Sequence, residues 1–256
     1  MKLSFPFLAL ISLLLSPILY LQSIRVRKKV PVLPEAANPS GYISNDYNND
    51  FSLLVLGEST MAGVGIKDHK DGFGYTLADK ISNYKKENVH WEVKAKSGYT
   101  AKQLHDELIP STQMKDPDLI VIGTGANDAF SLNPPTKFAR DISKCLTDLK
   151  SLFPNTNILF INMPPIPYFP ALTKLMQFCL GQWVRLNGEK LIELSDNNSN
   201  VYYMQEEITP SEWFDKYENY STIDDMFSDG VHPSKKTYQL WANECFNYIL
   251  EQKLLD

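Results

Sequence analysis

The chain has 256 residues, 43% of them hydrophobic, and a formal net charge of -5. That is enough apolar material for a sizeable core, and no Ser/Gly-rich or charged linker divides the chain after residue 50, so one principal domain is expected. The signs of charge are interspersed and no dense basic stripe is present, which argues against nucleic acid as a partner.

Residues 3–21 are almost wholly apolar, interrupted by Ser4, Pro6, Ser12, Ser16 and Pro17. Their length approaches the ~20 residues that span hydrocarbon, so a membrane-facing segment is expected. Only Lys2 and the free amine precede it with positive charge, and no small-x-small cleavage pattern follows Leu21. The concentrated basic cluster, Arg25, Arg27, Lys28 and Lys29, lies on its C-terminal side. This pattern favours a retained anchor or a helix lying in the interface over a cleaved export signal, which would give a secreted or periplasmic product. A helix buried against the domain is the third reading. The positive-inside rule keeps the basic end cytoplasmic, but Pro17 allows an in-plane helix, so the side of the membrane stays open.

Residues 30–50 carry prolines among Asn, Asp and Ser without periodicity and read as an extended tether lying over the domain. The expected organisation is an apolar segment over 1–24, a basic and then proline-rich tether over 25–50, and a folded unit over 51–256 beginning near Phe51.

The rest alternates strand and helix signals. Strands are expected at 51–57, 90–98, 118–125, 157–164 and 201–204. Helical spacing recurs at Phe73, Leu77 and Ile81, and further helices are expected around 101–108, 136–152, 171–194 and 234–250. Strands separated by helices need crossover connections, hence a mainly parallel five-stranded sheet of α/β class covered on both faces.

Ligands of such sheets bind beyond the carboxyl ends of the strands. Gly57-Glu58-Ser59 ends the first expected strand, Ser97-Gly98 the second and Gly123 to Asp128 the third, while Asp229 and His232 precede the last helix. Ser59 needs an adjacent base to attack a carbonyl, and His232 has the right chemistry for that task. Asp229, three residues before it on a Gly-containing turn, can hold the far ring nitrogen. The expected oxyanion donors are the backbone N–H groups of Ser59 and Gly98 and the side-chain amide of Asn127. Taken singly, each has an ordinary explanation: Ser59 as a helix cap, Asn127 and Asp128 as a cap or Asx-turn, His232-Pro233 as a helix start. Their joint occurrence at the strand ends of one sheet favours a nucleophilic serine hydrolase.

These motifs resemble the SGNH/GDSL hydrolase superfamily. Gly57-Glu58-Ser59 matches the nucleophile block, Gly98 the second block, Gly125-Ala126-Asn127-Asp128 the GxND block and Asp229-Gly230-Val231-His232-Pro233 the DxxHP block. The resemblance spans about residues 51–250. It implies a flavodoxin-like three-layer α/β/α sandwich, Ser59 as nucleophile, His232 as base, Asp229 as third triad member, and Ser59, Gly98 and Asn127 as oxyanion donors. It also implies two-step ester hydrolysis through an acyl-enzyme, with no metal or organic cofactor. One departure is Glu58, where the family usually carries Asp. Activity is expected to survive the change, although the change can weaken positioning of Ser59. Asp128 is read as a supporting residue and not a second catalytic acid.

The apolar stretch from Met163 to Leu172, with Met226 and Phe227, suits walls for an acyl group. With the membrane-facing segment, these residues favour carboxylic or lipid-like esters as substrate. A carbohydrate or peptidoglycan O-acetylesterase and a non-catalytic binding protein are the alternatives. The three cysteines, Cys145, Cys179 and Cys245, are widely spaced and are expected as reduced, partly buried thiols. The aromatic stretch at 211–220 is read as an exposed patch, a cover for the crevice or packing against the last helix, and oligomeric state is left open.

Overall fold

The computed structural model describes residues 2–217 and 220–255. A long N-terminal helix α1 (Phe5–Lys29) leads into strands β1 (Ser40–Ile43) and β2 (Asp50–Gly57). Helix α2 (Phe73–Lys85), strand β3 (Asn88–Ala95) and helix α3 (Ala101–Gln103, extended by a π turn over Leu104–Leu108) follow. Strand β4 (Leu119–Gly123) precedes α4 (Ala126–Phe130), α5 (Pro135–Leu152) and strand β5 (Asn157–Phe160). The chain closes with α6 (Lys174–Asp196), strand β6 (Val201–Tyr203), α7 (Pro210–Lys216) and α8 (Lys235–Glu251).

The strands form one six-stranded sheet in the order β1-β3-β2-β4-β5-β6, parallel throughout except for β1. Every residue of β4 is buried, as are the last five of β2, because both faces of these central strands are covered. Alternation divides the side chains. Leu53, Val55, Leu119 and Val121 face one core with residues of α2 and α8, while Leu54, Leu56, Ile120 and Ile122 face the other with residues of α5. The result is the expected three-layer α/β/α sandwich.

The sheet has six strands, one more than expected. The sixth, β1, comes from the stretch read as a tether, and it pairs antiparallel to β3 at the sheet edge, Ser40 opposite Glu92 and Ile43 opposite Val89. Its sequence, SGYI, has a single buried side chain, so neither periodicity nor hydrophobicity marks it as a strand. Backbone pairing and the stacking room that Gly41 leaves over Trp91 hold it.

Helix α1 lies along α6. Only Leu8 and Ser12 of the helix are buried. Trp183 donates its indole N–H to Ser12 Oγ at 3.2 Å, and Phe5 meets the same indole edge-on. Farther along, Thr173 donates to Gln22 Oε1. The opposite side exposes Phe7, Leu10, Leu13, Leu14, Ile18, Tyr20 and Leu21.

The aromatic stretch at 211–220 packs against α8: Trp213 is buried, Tyr217 donates to Glu244, and Tyr220 and Thr237 share a hydrogen bond of 2.9 Å. Glu218 and Asn219 of this stretch lie outside the described residues. Cys145, Cys179 and Cys245 are free and buried within α5, α6 and α8.

Candidate active site

The parallel register ends β2 and β4 side by side, Gly57 opposite Gly123. A Cβ on Gly57 would stand 2.3 Å from the Gly123 carbonyl oxygen, so only glycine allows this approach. The chain then turns sharply. Glu58 N–H donates to that same carbonyl at 3.0 Å, and Ser59 emerges partly exposed at the sheet's carboxyl edge.

Four sequence-distant segments meet there through direct contacts. The turn after Ser59 is tied to the last segment by Tyr238, whose hydroxyl donates to the Val64 carbonyl at 2.9 Å, and by the close approach of Gly65 to Ser228. Glu58 reaches the start of α4, accepting from Ala126 N–H at 2.9 Å and from Asn127 N–H at 3.1 Å. Asn127 Nδ2 donates to Glu58 Oε2 and to the Tyr99 carbonyl, both at 3.0 Å, which joins the GxND segment to the Gly98 turn. Asp128 is buried and accepts from Ala101 N–H and from Asn133 Nδ2, both at 2.8 Å, a supporting role between α3 and α4.

Asp229 and His232 form a compact unit. Asp229 Oδ2 bonds His232 Nδ1 at 2.7 Å, while its Oδ1 accepts from the backbone N–H groups of Val231 and His232 at 2.9 and 2.7 Å. Burial pushes the Asp229 carboxyl upward, but the bonds from the His232 ring and from these backbone groups outweigh it and hold the acid below its ordinary range. The His232 Nε2 atom has no hydrogen-bond partner among the described residues. Among the described residues, Ser59 and His232 are not hydrogen-bonded to each other.

Gly98 adopts φ +84, a left-handed conformation, and a Cβ there would meet nothing within 4 Å. Its neighbours are pinned: Ser97 N–H donates to Glu35 and Tyr99 N–H to the Lys96 carbonyl. The backbone N–H groups of Gly98 and Ser59 make no backbone hydrogen bond among the described residues, so both are available donors.

Two links escaped sequence reasoning. Glu35 lies in the stretch read as a tether, yet its carboxylate holds Ser97 N–H at 2.8 Å and Lys96 Nζ at 3.0 Å. Glu58 connects to Asn127 across the sheet and not to Ser59. It is 2% exposed, and burial lifts its carboxyl to about 7 against the opposing bonds from Asn127 and Ala126. Neither link has a local sequence signal, because both partners are distant in the chain.

The apolar walls also meet. Phe169 and Phe227 contact edge-to-face at 5.4 Å, and a cavity of about 20 Å³ beside Thr60 is lined by Pro164, Pro165, Met226 and Val231 among others.

A serine-type site at the carboxyl edge of a parallel sheet defines a class of hydrolase, and residues 55–240 match the GDSL-like Lipase/Acylhydrolase family model. The chain belongs to that family and is a carboxylic ester hydrolase of the serine type. It is similar to a solved lipase, Lip_vut3, from a goat rumen metagenome, at 19% identity and TM-score 0.56 over 76% of this chain and 95% of that one. It is likewise similar to TesA, at 16% identity and TM-score 0.58 over 77% and 97%. An acetyl xylan esterase, AlAXEase, aligns at 14% identity and TM-score 0.58 over 78% and 100%. At such identities the likeness is one of fold. No curated protein matches the chain.

Proposed function

We propose that Ser59 is the nucleophile of this esterase, His232 its base and Asp229 the acid that orients and supports the imidazole. The observation that carries the reading is the 2.7 Å bond between Asp229 Oδ2 and His232 Nδ1, on a segment tied to the Ser59 turn through Tyr238. His232 Nε2 takes the Ser59 proton as Oγ attacks the acyl carbonyl. The oxyanion is met by the N–H groups of Ser59 and Gly98 and by the Asn127 amide. The alcohol leaves with the proton from His232, and a water activated by the same ring then releases the carboxylic acid.

The preferred substrates are carboxylic esters with apolar, lipid-like acyl groups. The Phe169, Met226 and Phe227 side chains beside the nucleophile turn support this, as does α1, whose exposed apolar side and terminal basic cluster suit association with an anionic membrane surface. A second reading is O-acetyl ester hydrolysis on a carbohydrate, in which the cavity of about 20 Å³ beside Thr60 has room for an acetyl methyl.

The test is hydrolysis of p-nitrophenyl esters from acetyl to dodecanoyl by the full chain, with Ser59→Ala as control, alongside labelling by a fluorophosphonate. Ser59-dependent turnover that rises at medium or long chains supports the lipid-ester reading. Turnover confined to acetyl supports the second. A folded chain whose Ser59 neither turns over esters nor accepts the fluorophosphonate refutes both.

A further inference from the structure

Glu58 is a buried acid beside the nucleophile to which ester hydrolysis assigns no proton. Its geometry gives it another task. Oε1 accepts from Ala126 N–H at 2.9 Å, and Oε2 accepts from both the backbone N–H and the side-chain Nδ2 of Asn127, at 3.1 and 3.0 Å. The second hydrogen of that amide rests on the Tyr99 carbonyl, also at 3.0 Å. Both amide hydrogens of Asn127 are therefore engaged, and an oxyanion can recruit the amide only by sharing or displacing one of these bonds.

The two bonds differ in kind. Glu58 is 2% exposed and, ionised above about pH 7, offers a carboxylate, and a charge-assisted bond is roughly twice as strong as a neutral one. Stripping a donor from a carboxylate that water cannot reach also leaves its charge undersolvated. The Tyr99 carbonyl is neutral, and Tyr99 is partly exposed beside the unobstructed Gly98 turn, where water can replace the lost donor. The hydrogen on Tyr99 is the one that can be released.

We propose that Glu58 is a positioning residue for the oxyanion hole: it grips the backbone and one amide hydrogen of Asn127, fixing the amide plane so that the other hydrogen passes from the Tyr99 carbonyl to the oxyanion of a bound ester. The longer Glu side chain serves this by carrying the carboxylate from the end of β2 to the start of α4, a link that Asp would have to make with one methylene less. The inference rests on the serine-esterase reading above.

A double-mutant cycle tests it. The full chain, Glu58→Gln, Asn127→Ala, the double variant and Glu58→Asp are compared in Ser59-dependent p-nitrophenyl ester hydrolysis, with folding checked by circular dichroism. Glu58→Gln is expected to lower kcat about 10- to 100-fold with KM within about twofold, and Asn127→Ala to lower kcat about 100-fold. Because Glu58 acts through Asn127, the double variant is expected within about threefold of Asn127→Ala alone. Glu58→Asp, which keeps the carboxylate, is expected to recover part of the activity that Glu58→Gln loses. Losses that multiply in the double variant overturn the proposal, as does a folded Glu58→Gln with unchanged kcat. Should Glu58→Gln fail to fold, Glu58→Ala, which likewise removes the carboxylate, takes its place in the cycle under the same criteria. A full chain without Ser59-dependent turnover fails the esterase reading itself and this inference with it, whereas an active chain with a multiplicative cycle fails this inference alone.

Discussion

The Tyr238 hydroxyl and the Val64 carbonyl form the bond, 2.9 Å long, by which helix α8 holds the turn that follows Ser59. Tyr238 is completely buried, and burial pushes its phenol far above the ordinary value, so the group is a permanent donor. Tyr238→Phe keeps the ring and leaves the Val64 carbonyl without that partner. A loss of about 1–3 kcal/mol in a denaturant titration is expected. The Ser59 turn should loosen with it, lowering kcat several-fold. Unchanged stability in urea would contradict the assignment.

Asp229 has two duties, and a substitution separates them poorly by design. Asp229→Asn replaces an acceptor with an amide that must present N–H to the Val231 and His232 backbone donors or to the His232 ring. By comparison with other triads, kcat should fall about 10²- to 10⁴-fold. Fluorophosphonate labelling of Ser59 should slow in parallel, because the base and not the binding is impaired. A labelling rate equal to wild type would exclude Asp229 from the triad.

Gly57 and Gly98 predict opposite outcomes for the same replacement. A methyl at Gly57 would overlap the Gly123 carbonyl, so Gly57→Ala is expected to prevent accumulation of folded protein. At Gly98 there is open space, and the cost of Gly98→Ala is the positive φ alone, about 1–2 kcal/mol. The Gly98→Ala chain should fold with a modestly lowered Tm and lose about tenfold in kcat as its N–H shifts off the oxyanion. Thermal melts and initial rates on the two variants check both statements.

Stability against pH carries two opposed contributions. Burial lifts Glu58 from 4.5 to about 7, so its stabilisation is complete below pH 4.5 and is lost as pH rises through 7. Burial lowers His69 from 6.5 to about 4, so its contribution is complete above pH 6.5 and is lost as pH falls through 4. Each displacement is worth about 3 kcal/mol, and over their shared window they cancel. In His69→Gln the Tm should therefore fall as pH rises from about 4.5 to 7, and in Glu58→Gln it should climb from about 4 to 6.5. Scanning calorimetry across that range provides the check, and parallel profiles for the two variants would refute the assignment.

The sandwich was legible because its central strands are buried on both faces and its helices carry a clear apolar stripe, as in FSLLVLG for β2 and the Phe138, Ile142, Leu146 and Leu149 series for α5. The candidate site was legible for a different reason. Strand ends of a parallel sheet converge of necessity, so Gly57, Gly98 and Gly123 marked one edge before any contact was seen. Strand β1 was hidden by its polarity, and α7 by an aromatic stretch that suited several roles. The bonds from Glu58 to Asn127 and from Glu35 to Ser97 join residues with no local pattern between them, and only the folded chain brings them together.

Glu35 sets a boundary for any engineered or recombined form of this enzyme. Its carboxylate fastens Ser97, the residue next to Gly98, and the strand that follows it completes the sheet edge. A graft or truncation that starts at Phe51, where the hydrophobic pattern begins, would carry every motif residue and still deliver a slack Gly98 turn. The transferable unit extends upstream at least to Glu35, and a fusion partner belongs before that residue, in the stretch between α1 and the sheet.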